Sequence, residues 1–251
     1  MTTIDLNGFC GKWPYWPMDV TTTEGLVSML DRFHIDQVAA ASTMGVFLEC
    51  EDGNRHTAEV MAEAGTRVIG FAIVSPVNEK EACYQLARWH AAGMKGIRLF
   101  PQHHGYRLDD DPFLADILDM AGILDLPVLI PVRLIGNWSL PVLDVRELGP
   151  IVERHPRTQF IIGAVNYGEL RDALAVLRSH ENVGMETSCF QAAEGIEKLV
   201  SRIGAERVYL GTGLPLQYPA AGLAKITHAD ISQDDKALIL GGNAQRLLSL
   251  T

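Results

Sequence analysis

Several side chains suited to acid–base catalysis or anion binding follow short apolar runs in this sequence. Glu186 closes one such run and is a lone carboxylate among apolar neighbours, so a raised pKa would suit it to act as a general acid or base. His103 and His104 follow another run, and histidine exchanges protons near neutral pH. Adjacent side chains of an extended segment point in opposite directions, so we expect at most one of the two histidines to face a pocket.

Arg98 and Arg133 each end an apolar run, where a guanidinium group is costly without a partner. Arginine binds carboxylates through two parallel hydrogen bonds, which indicates a small organic anion as the ligand. The structural alternative is an ion pair, for instance with Glu186, which would lower the pKa of that carboxyl group. Further candidates for ligand binding are polar or aromatic residues after other apolar runs, namely Asn7, Asn166, Tyr167 and Ser188.

An aromatic and proline-rich stretch, Lys12-Trp13-Pro14-Tyr15-Trp16-Pro17, follows the first apolar run. Two tryptophans and two prolines make a stiff apolar loop, which predicts a pocket wall, a lid or an oligomer contact. A homo-oligomer is therefore one expectation. Trp138, like Tyr167, is either part of a pocket wall or ordinary packing.

The elements that must position these residues alternate regularly along the chain. Eight apolar runs are the strand candidates, at residues 3–9, 37–42, 68–74, 96–100, 128–133, 159–165, 183–187 and 207–211. Amphipathic segments separate them, and the helix candidates are residues 24–34, 55–64, 79–92, 112–123, 145–154, 168–178, 194–203, 219–227 and 233–248. This alternation is typical of a parallel sheet covered by helices. About 250 residues is the usual size of a closed barrel of eight such units. We therefore predict an α/β fold, a (β/α)8 TIM barrel that forms a single domain over residues 1–251.

In such barrels the active site forms at the carboxyl ends of the strands. The candidate residues all end or follow predicted strands, so we expect them at one mouth of the barrel. The sequence contains neither a G-x-G-x-x-G segment after the first strand nor a Walker-type glycine loop, which argues against dinucleotide and nucleotide binding.

Composition excludes several classes of partner. The formal net charge is −10, which disfavours nucleic acid and anionic membrane surfaces. No apolar stretch approaches the roughly 20 residues that cross a bilayer, and the first residues do not have the pattern of a signal peptide. The four cysteines are scattered without a CxxC pair, which predicts reduced thiols in a cytoplasmic protein.

Several stretches resemble the amidohydrolase-related family, the metal-dependent hydrolases of TIM-barrel fold. The first strand resembles the family's opening strand in Ile4-Asp5-Leu6-Asn7-Gly8-Phe9. Later similarities cover nearly the whole chain, at residues 93–101, 104–109, 126–130, 208–215 and 239–248.

The resemblance implies a divalent metal, usually zinc, that lowers the pKa of a bound water. The family's ligands are two histidines of an HxH on strand one, histidines that end strands five and six, and an aspartate on strand eight. The corresponding positions here hold Asn7, Phe9, Pro131, Ala164 and Gly213. Only Asn7 offers a side-chain donor atom, so we predict that the family's metal site is absent and that no cofactor is bound.

These features leave three functions open. The first is a metal-independent hydrolase or lyase that acts on a small anionic molecule at the barrel mouth, with Glu186, His103 or His104 transferring protons. The second is a catalytically inactive homologue that serves as a ligand-binding or partner subunit. A third has a metal held by new ligands such as these same three residues.

Overall fold

The computed structural model describes residues 2–15, 17–77, 82–108, 112–136 and 140–250. Eight parallel strands form one sheet in chain order. Their bounds are β1 Ile4–Cys10, β2 Gln37–Ser42, β3 Val68–Ile73, β4 Gly96–Arg98, β5 Val128–Pro131, β6 Phe160–Gly163, β7 Val183–Glu186 and β8 Val208–Tyr209.

Backbone hydrogen bonds join β1 to the segment that continues β8. The amide of Leu6 donates to the carbonyl of Leu210 at 2.8 Å, and the amide of Gly213 donates to the carbonyl of Asn7 at 2.9 Å. Since every other neighbouring pair of strands is parallel and hydrogen-bonded, the sheet closes on itself. The predicted (β/α)8 barrel is confirmed, while its extent as a single domain over residues 1–251 stays a prediction.

Helices cover the outside of the barrel and supply short turns at its ends. The helices are α1 Thr23–Arg32, α2 Met44–Phe47, α3 Cys50–Ala64, α4 Ala82–Ala91, α5 Pro101–His104, α6 Pro112–Ile123, α7 Leu148–Arg154, α8 Leu170–Ser179, α9 Gly195–Ile203, α10 Pro219–Thr227, α11 Gln233–Ala237 and α12 Asn243–Leu247. A π-helical turn, Leu238–Gly242, joins α11 to α12. Among the helices of the described residues, none is long and apolar enough to cross a membrane.

Some boundaries differ from the prediction because tertiary contacts override local propensity. The third helix begins at Cys50 rather than near residue 55, although Gly53 and Asn54 are weak helix formers. The Asn54 side chain exchanges hydrogen bonds with the amide and carbonyl of Ile73 at 2.7 and 2.8 Å, which ties this turn to β3. The predicted helix at 79–92 is described from Ala82 onward, and residues 79–81 lie outside the described part.

The two faces of the strands build two separate packed layers. Along β5, Val128 and Ile130 face the helices, whereas Leu129 faces the interior of the barrel together with Phe71 and Ile161. All of these side chains are buried. Apolar side chains fill most of the barrel, as in other barrels of this kind, so its polar side chains are concentrated toward the two ends.

Candidate functional site

Glu186 is the hub of a buried hydrogen-bond network at the end of β7. Its Oε1 accepts hydrogen bonds from Asn7 Nδ2 and from Ser188 Oγ, both at 2.9 Å, and from the amide of Ala164. Its Oε2 accepts from the amide of Ser188 at 2.6 Å. The structure therefore brings together three predicted site residues from opposite ends of the chain. Four donors already occupy the carboxylate, so acid–base work by Glu186 would require one of these bonds to be released.

Arg98 lies inside the barrel and is completely buried. Its Nη2 donates to the carbonyls of Ala39 at 2.8 Å and Leu6 at 3.4 Å, and its guanidinium lies over the ring of Phe9, 5.0 Å from the centroid. Nε and Nη1 have no hydrogen-bond partner. The ion pair with Glu186, considered as the structural alternative, is not among the ion pairs of the described residues. Burial lowers the pKa of Arg98 to about 10, so the group is still protonated at neutral pH.

Arg133 follows β5 and pairs with Glu169 rather than with Glu186. Arg133 Nη2 lies 2.6 Å from Glu169 Oε2, and both side chains are mostly buried. The same carboxylate oxygen accepts a hydrogen bond from the amide of Asn166 at 3.1 Å, so Asn166 and Arg133 meet through one acid. Sequence analysis missed Glu169. The signal was present, because an asparagine followed three residues later by glutamate is a capping-box pattern at a helix start.

Tyr167 does not line the interior of the mouth. Its side chain is 66% exposed, and its amide donates to Asn166 Oδ1 at 2.7 Å. Its predicted role as a pocket wall is therefore limited to the outer rim. Trp138, the other predicted wall residue, lies outside the described residues, as does Trp16.

His103 and His104 lie on the short helix α5, so the expectation of an extended segment was wrong. Both rings are partly buried. His104 Nε2 is 3.0 Å from the carbonyl of Gly45, while the His103 ring makes edge contacts with Phe47 and Phe100. Burial lowers the pKa of His103 to about 4 and also lowers the pKa of His104. Both imidazoles are therefore neutral at physiological pH.

Aromatic side chains from three loops form a roof over the barrel mouth. Trp13 lies 5.2 Å from Tyr15 and 5.4 Å from Phe47 between ring centroids, and Phe47 lies 5.9 Å from His103. Trp13 is buried, in keeping with the predicted wall or lid in this stretch. Apolar side chains of two further loops pack in the same cluster, namely Leu134, Ile135, Leu140 and Leu216.

Asp5 is a buried site residue that sequence analysis did not single out. Its carboxylate accepts hydrogen bonds from the amide of Asn7 at 2.9 Å, the amide of Thr212 at 3.0 Å and the hydroxyl of Thr212. Burial raises the pKa of Asp5 to about 6, and the nearby charge of Glu186 acts in the same direction. An aspartate between Ile4 and Leu6 in an apolar strand was the available signal, because such a group needs buried partners.

The side chains at the family's metal positions do not fit a zinc site. Asn7 directs its amide nitrogen toward Glu186, and the Phe9 ring lies against Arg98. Ala164 adopts a left-handed φ of 54° and donates its amide to Glu186, while Gly213 has a φ of 72°. Across the described ranges, no three His, Cys, Asp or Glu side chains are grouped so that they could hold a metal ion.

The comparison with sequence families identifies the family of this chain. The model of the family described as amidohydrolase matches residues 32–250. The chain belongs to the amidohydrolase family. No curated protein sequence matches the chain.

Solved structures share this barrel at low sequence identity. The 2,6-dihydroxybenzoate decarboxylase from Rhizobium is 16% identical with a TM-score of 0.81, over 99% of each chain. A 5-carboxyvanillate decarboxylase from Novosphingobium aromaticivorans, complexed with manganese and a nitrobenzoic acid, is 16% identical with a TM-score of 0.81, over 99% of this chain and 96% of that one. A probable 2-pyrone-4,6-dicarboxylic acid hydrolase from Acinetobacter baumannii, with citric acid bound, is 14% identical with a TM-score of 0.76, over all of both chains.

Proposed function

We propose that this amidohydrolase binds a small organic anion at the carboxyl-terminal mouth of its barrel and acts on it as a metal-independent hydrolase or lyase. The observation that carries the proposal is the Arg98 guanidinium, which is buried with two nitrogens unsatisfied. An unsatisfied buried donor costs about 1–3 kcal/mol, and more when it is charged. A carboxylate from a ligand would accept a charge-assisted hydrogen bond from one of these N–H groups and offset part of that cost.

In this proposal the other predicted binding residues contact the same ligand. Asn7 Oδ1 and Arg133 Nε are buried without hydrogen-bond partners, so each has one bond to offer. Ser188 lies next to Asn7, and both side chains donate to Glu186. Asn166 lies near Arg133, because both donate to Glu169. The aromatic roof would cover an organic ligand and exclude water, which strengthens a pairing of opposite charges. Tyr167 would contact only a part of the ligand that reaches the rim.

The structural neighbours support a carboxylic acid as the ligand. One is named for 2,6-dihydroxybenzoate, one holds a nitrobenzoic acid and one holds citric acid. Two of these proteins are decarboxylases, which makes a lyase reaction as reasonable as hydrolysis. The manganese of one neighbour is not transferred to this chain, because the donor set at the corresponding positions does not fit a metal.

His103 is the residue that we assign to proton transfer. Its imidazole is neutral at physiological pH, and its buried Nε2 has no hydrogen-bond partner, so the ring is available to a ligand. Glu186 is occupied by four donors, and His104 contacts the carbonyl of Gly45. We assign both to positioning: Glu186 orients Asn7 and Ser188, and His104 fixes α5 against α2.

Turnover assays with matched variants test this proposal. Protein purified without chelator would be incubated with aromatic carboxylic acids, aliphatic carboxylic acids and lactones, and products would be followed by NMR. We expect turnover in the presence of EDTA, lost in His103→Gln and retained in His34→Gln, which changes an exposed histidine. Turnover that requires added zinc or manganese would contradict metal independence, and turnover retained by His103→Gln would reject the assigned base.

A second function, a catalytically inactive ligand-binding or partner subunit, is favoured by two observations. The carboxylate of Glu186 is fully occupied, and large apolar side chains are exposed in the loops that follow the strands, at Tyr15, Leu48, Val77, Val142, Tyr167 and Tyr218. Such a face suits contact with a second copy of the chain. Light scattering would then report an oligomer that dissociates in a Tyr167→Ser, Tyr218→Ser double variant, with ligand binding but no turnover in any assay.

A further inference from the structure

A cavity of about 550 Å³ opens at the amino-terminal end of the barrel, opposite the mouth. Segments that precede β5, β6, β7 and β8 form its wall, and α12 and the residues after it close one side. Its volume falls within the range of about 300–1,000 Å³ that is usual for small-molecule sites. Neither the family's metal positions nor the mouth residues line it, so the proposed function does not account for this cavity.

Charged side chains of both signs line this cavity without pairing. They are three arginines and three acids, namely Arg157, Arg207, Arg246, Asp125, Glu181 and Glu206. Within the part of the chain that the structure describes, none of the six forms an ion pair. Because these charges do not form ion pairs with each other, both the guanidinium groups and the carboxylates are available to a polar ligand.

Tyr209 brings a hydroxyl group from the barrel interior to the same cavity. Its ring packs against Gly184, where a Cβ atom would collide with the ring, and the side chain is 8% exposed. The hydroxyl makes no hydrogen bond to any described residue. Burial raises the pKa of Tyr209 to about 12, whereas the positive charges of Arg246 and Arg207 act in the opposite direction. Both guanidinium groups therefore lie near the phenol.

Arg207 is held rigidly in its orientation. Its Nε donates to the carbonyl of Ile203 at 3.0 Å, and its Nη1 donates to the carbonyls of Leu177 and His180 at 2.7 and 3.1 Å. These bonds leave Nη2 free. Arg246 is anchored by a hydrogen bond from Nη2 to Asn243 Oδ1 at 2.9 Å. Because the donors are fixed before binding, little side-chain entropy is lost when an anion is bound.

We propose that this cavity binds a small polar molecule that carries one oxyanion group, a carboxylate or a phosphate, together with hydroxyl groups. The oxyanion accepts hydrogen bonds from Arg207, Arg246 and the hydroxyl of Tyr209. The hydroxyl groups of the ligand donate to Glu181 and Glu206, which line the same cavity. These carboxylates disfavour a polyanion, and the volume of the cavity suits a small molecule.

Calorimetric titration of the intact chain tests this site with three probes. Glycerol 3-phosphate and glycerate carry the two kinds of oxyanion, and glycerol is the uncharged control. We expect saturable binding of at least one of the two anions and none of glycerol. Arg246→Met and Tyr209→Phe should each weaken binding about tenfold, since each removes a hydrogen bond to a charged group.

Matched controls separate this site from the mouth and from general effects of charge. Arg171→Met removes an exposed arginine elsewhere and should leave the affinity unchanged, as should Arg98→Met. Arg246 is exposed and Tyr209→Phe keeps the ring, so we expect both variants to fold. Absence of saturable binding of both anions, equal affinity in all variants, or loss of binding in Arg98→Met would each overturn the proposal.

Discussion

Replacing Arg98 by methionine should weaken ligand binding at the barrel mouth about 100-fold while leaving the fold intact. Methionine occupies similar space between the rings of Phe9 and Phe71 and removes a buried charge with two unsatisfied nitrogens. The variant loses the hydrogen bonds to Ala39 and Leu6, but it also loses the desolvation cost of the guanidinium. Because the lost hydrogen bonds and the relieved desolvation cost oppose each other, we expect the unliganded stability to change by less than about 2 kcal/mol.

The effect on binding is much larger. One charge-assisted hydrogen bond, lost together with the charge that attracts the anion, is worth up to about 3 kcal/mol, which corresponds to a dissociation constant weakened about 100-fold. At a ligand concentration of about 100 times the wild-type Kd, binding stabilises the wild type by about 2.7 kcal/mol. For a chain of this size that is a rise in Tm of about 5–11 °C. A variant that binds about 100-fold more weakly gains only about 0.4 kcal/mol, a rise of about 1 °C.

Differential scanning calorimetry with the best carboxylic acid from a screen would measure both numbers. Arg171→Met, at an exposed position, should keep the whole ligand-dependent rise. Arg98→Lys keeps the charge but not the planar fork, so it should retain a small part of the rise. If Arg98→Met kept the full rise, or if no acid stabilised the wild type, the buried guanidinium would not be the anion anchor.

Three further predictions concern buried groups. Because burial raises the pKa of Asp5 from 3.8 to about 6, its contribution to stability is complete below about pH 4 and is lost as the pH rises past about 6. A pKa difference of about two corresponds to about 3 kcal/mol. Between about pH 4 and pH 7, the free energy of unfolding of Asp5→Asn, measured in urea, should therefore rise by about that much relative to wild type. A difference that does not depend on pH would contradict this. The pKa of His103 is lowered in the native state, so between about pH 4 and 6.5 the native state binds fewer protons than the unfolded chain. His103 therefore lowers the free energy of unfolding as the pH falls through that window. Its NMR titration should have a midpoint near pH 4, and a midpoint near 6.5 would show an exposed ring. Gly213→Asp restores the family's acidic ligand but should only destabilise the chain, by about 1–2 kcal/mol. The backbone is left-handed at this position, and Gln217 fills the space that a Cβ atom would need. A rise in Tm that depends on zinc would contradict this prediction.

The fold was predictable because its signals are local. Buried parallel strands are continuous apolar runs, so all eight were recognised, and β2, α6 and α10 have the predicted bounds. The misjudged elements depend on contacts that no local pattern encodes. His103 and His104 form a helical turn, and residues 210–214, in part predicted as strand, instead bond to β1 and to the π-helical turn.

Which candidate residues lie close together was predictable in part, but which side chains pair with each other was not. Parallel strands end at the same mouth, which is why Asn7, Glu186 and Ser188 meet although up to 181 positions separate them. The partner of each charge depends on side-chain direction across the barrel. For that reason the pair of Arg133 with Glu169 and the buried Asp5 emerged only from the structure.

The metal content of the chain bound to its mouth ligand tests the central claim most directly. Protein would be purified without chelator, incubated with excess zinc and manganese, and freed of unbound metal by gel filtration. It would then be saturated with the carboxylic acid, and its metal content would be measured by elemental mass spectrometry. The side chains at Asn7, Phe9, Pro131, Ala164 and Gly213 predict a full complement of ligand with substoichiometric metal. One zinc or manganese ion retained per chain would contradict an anion site built on Arg98 alone.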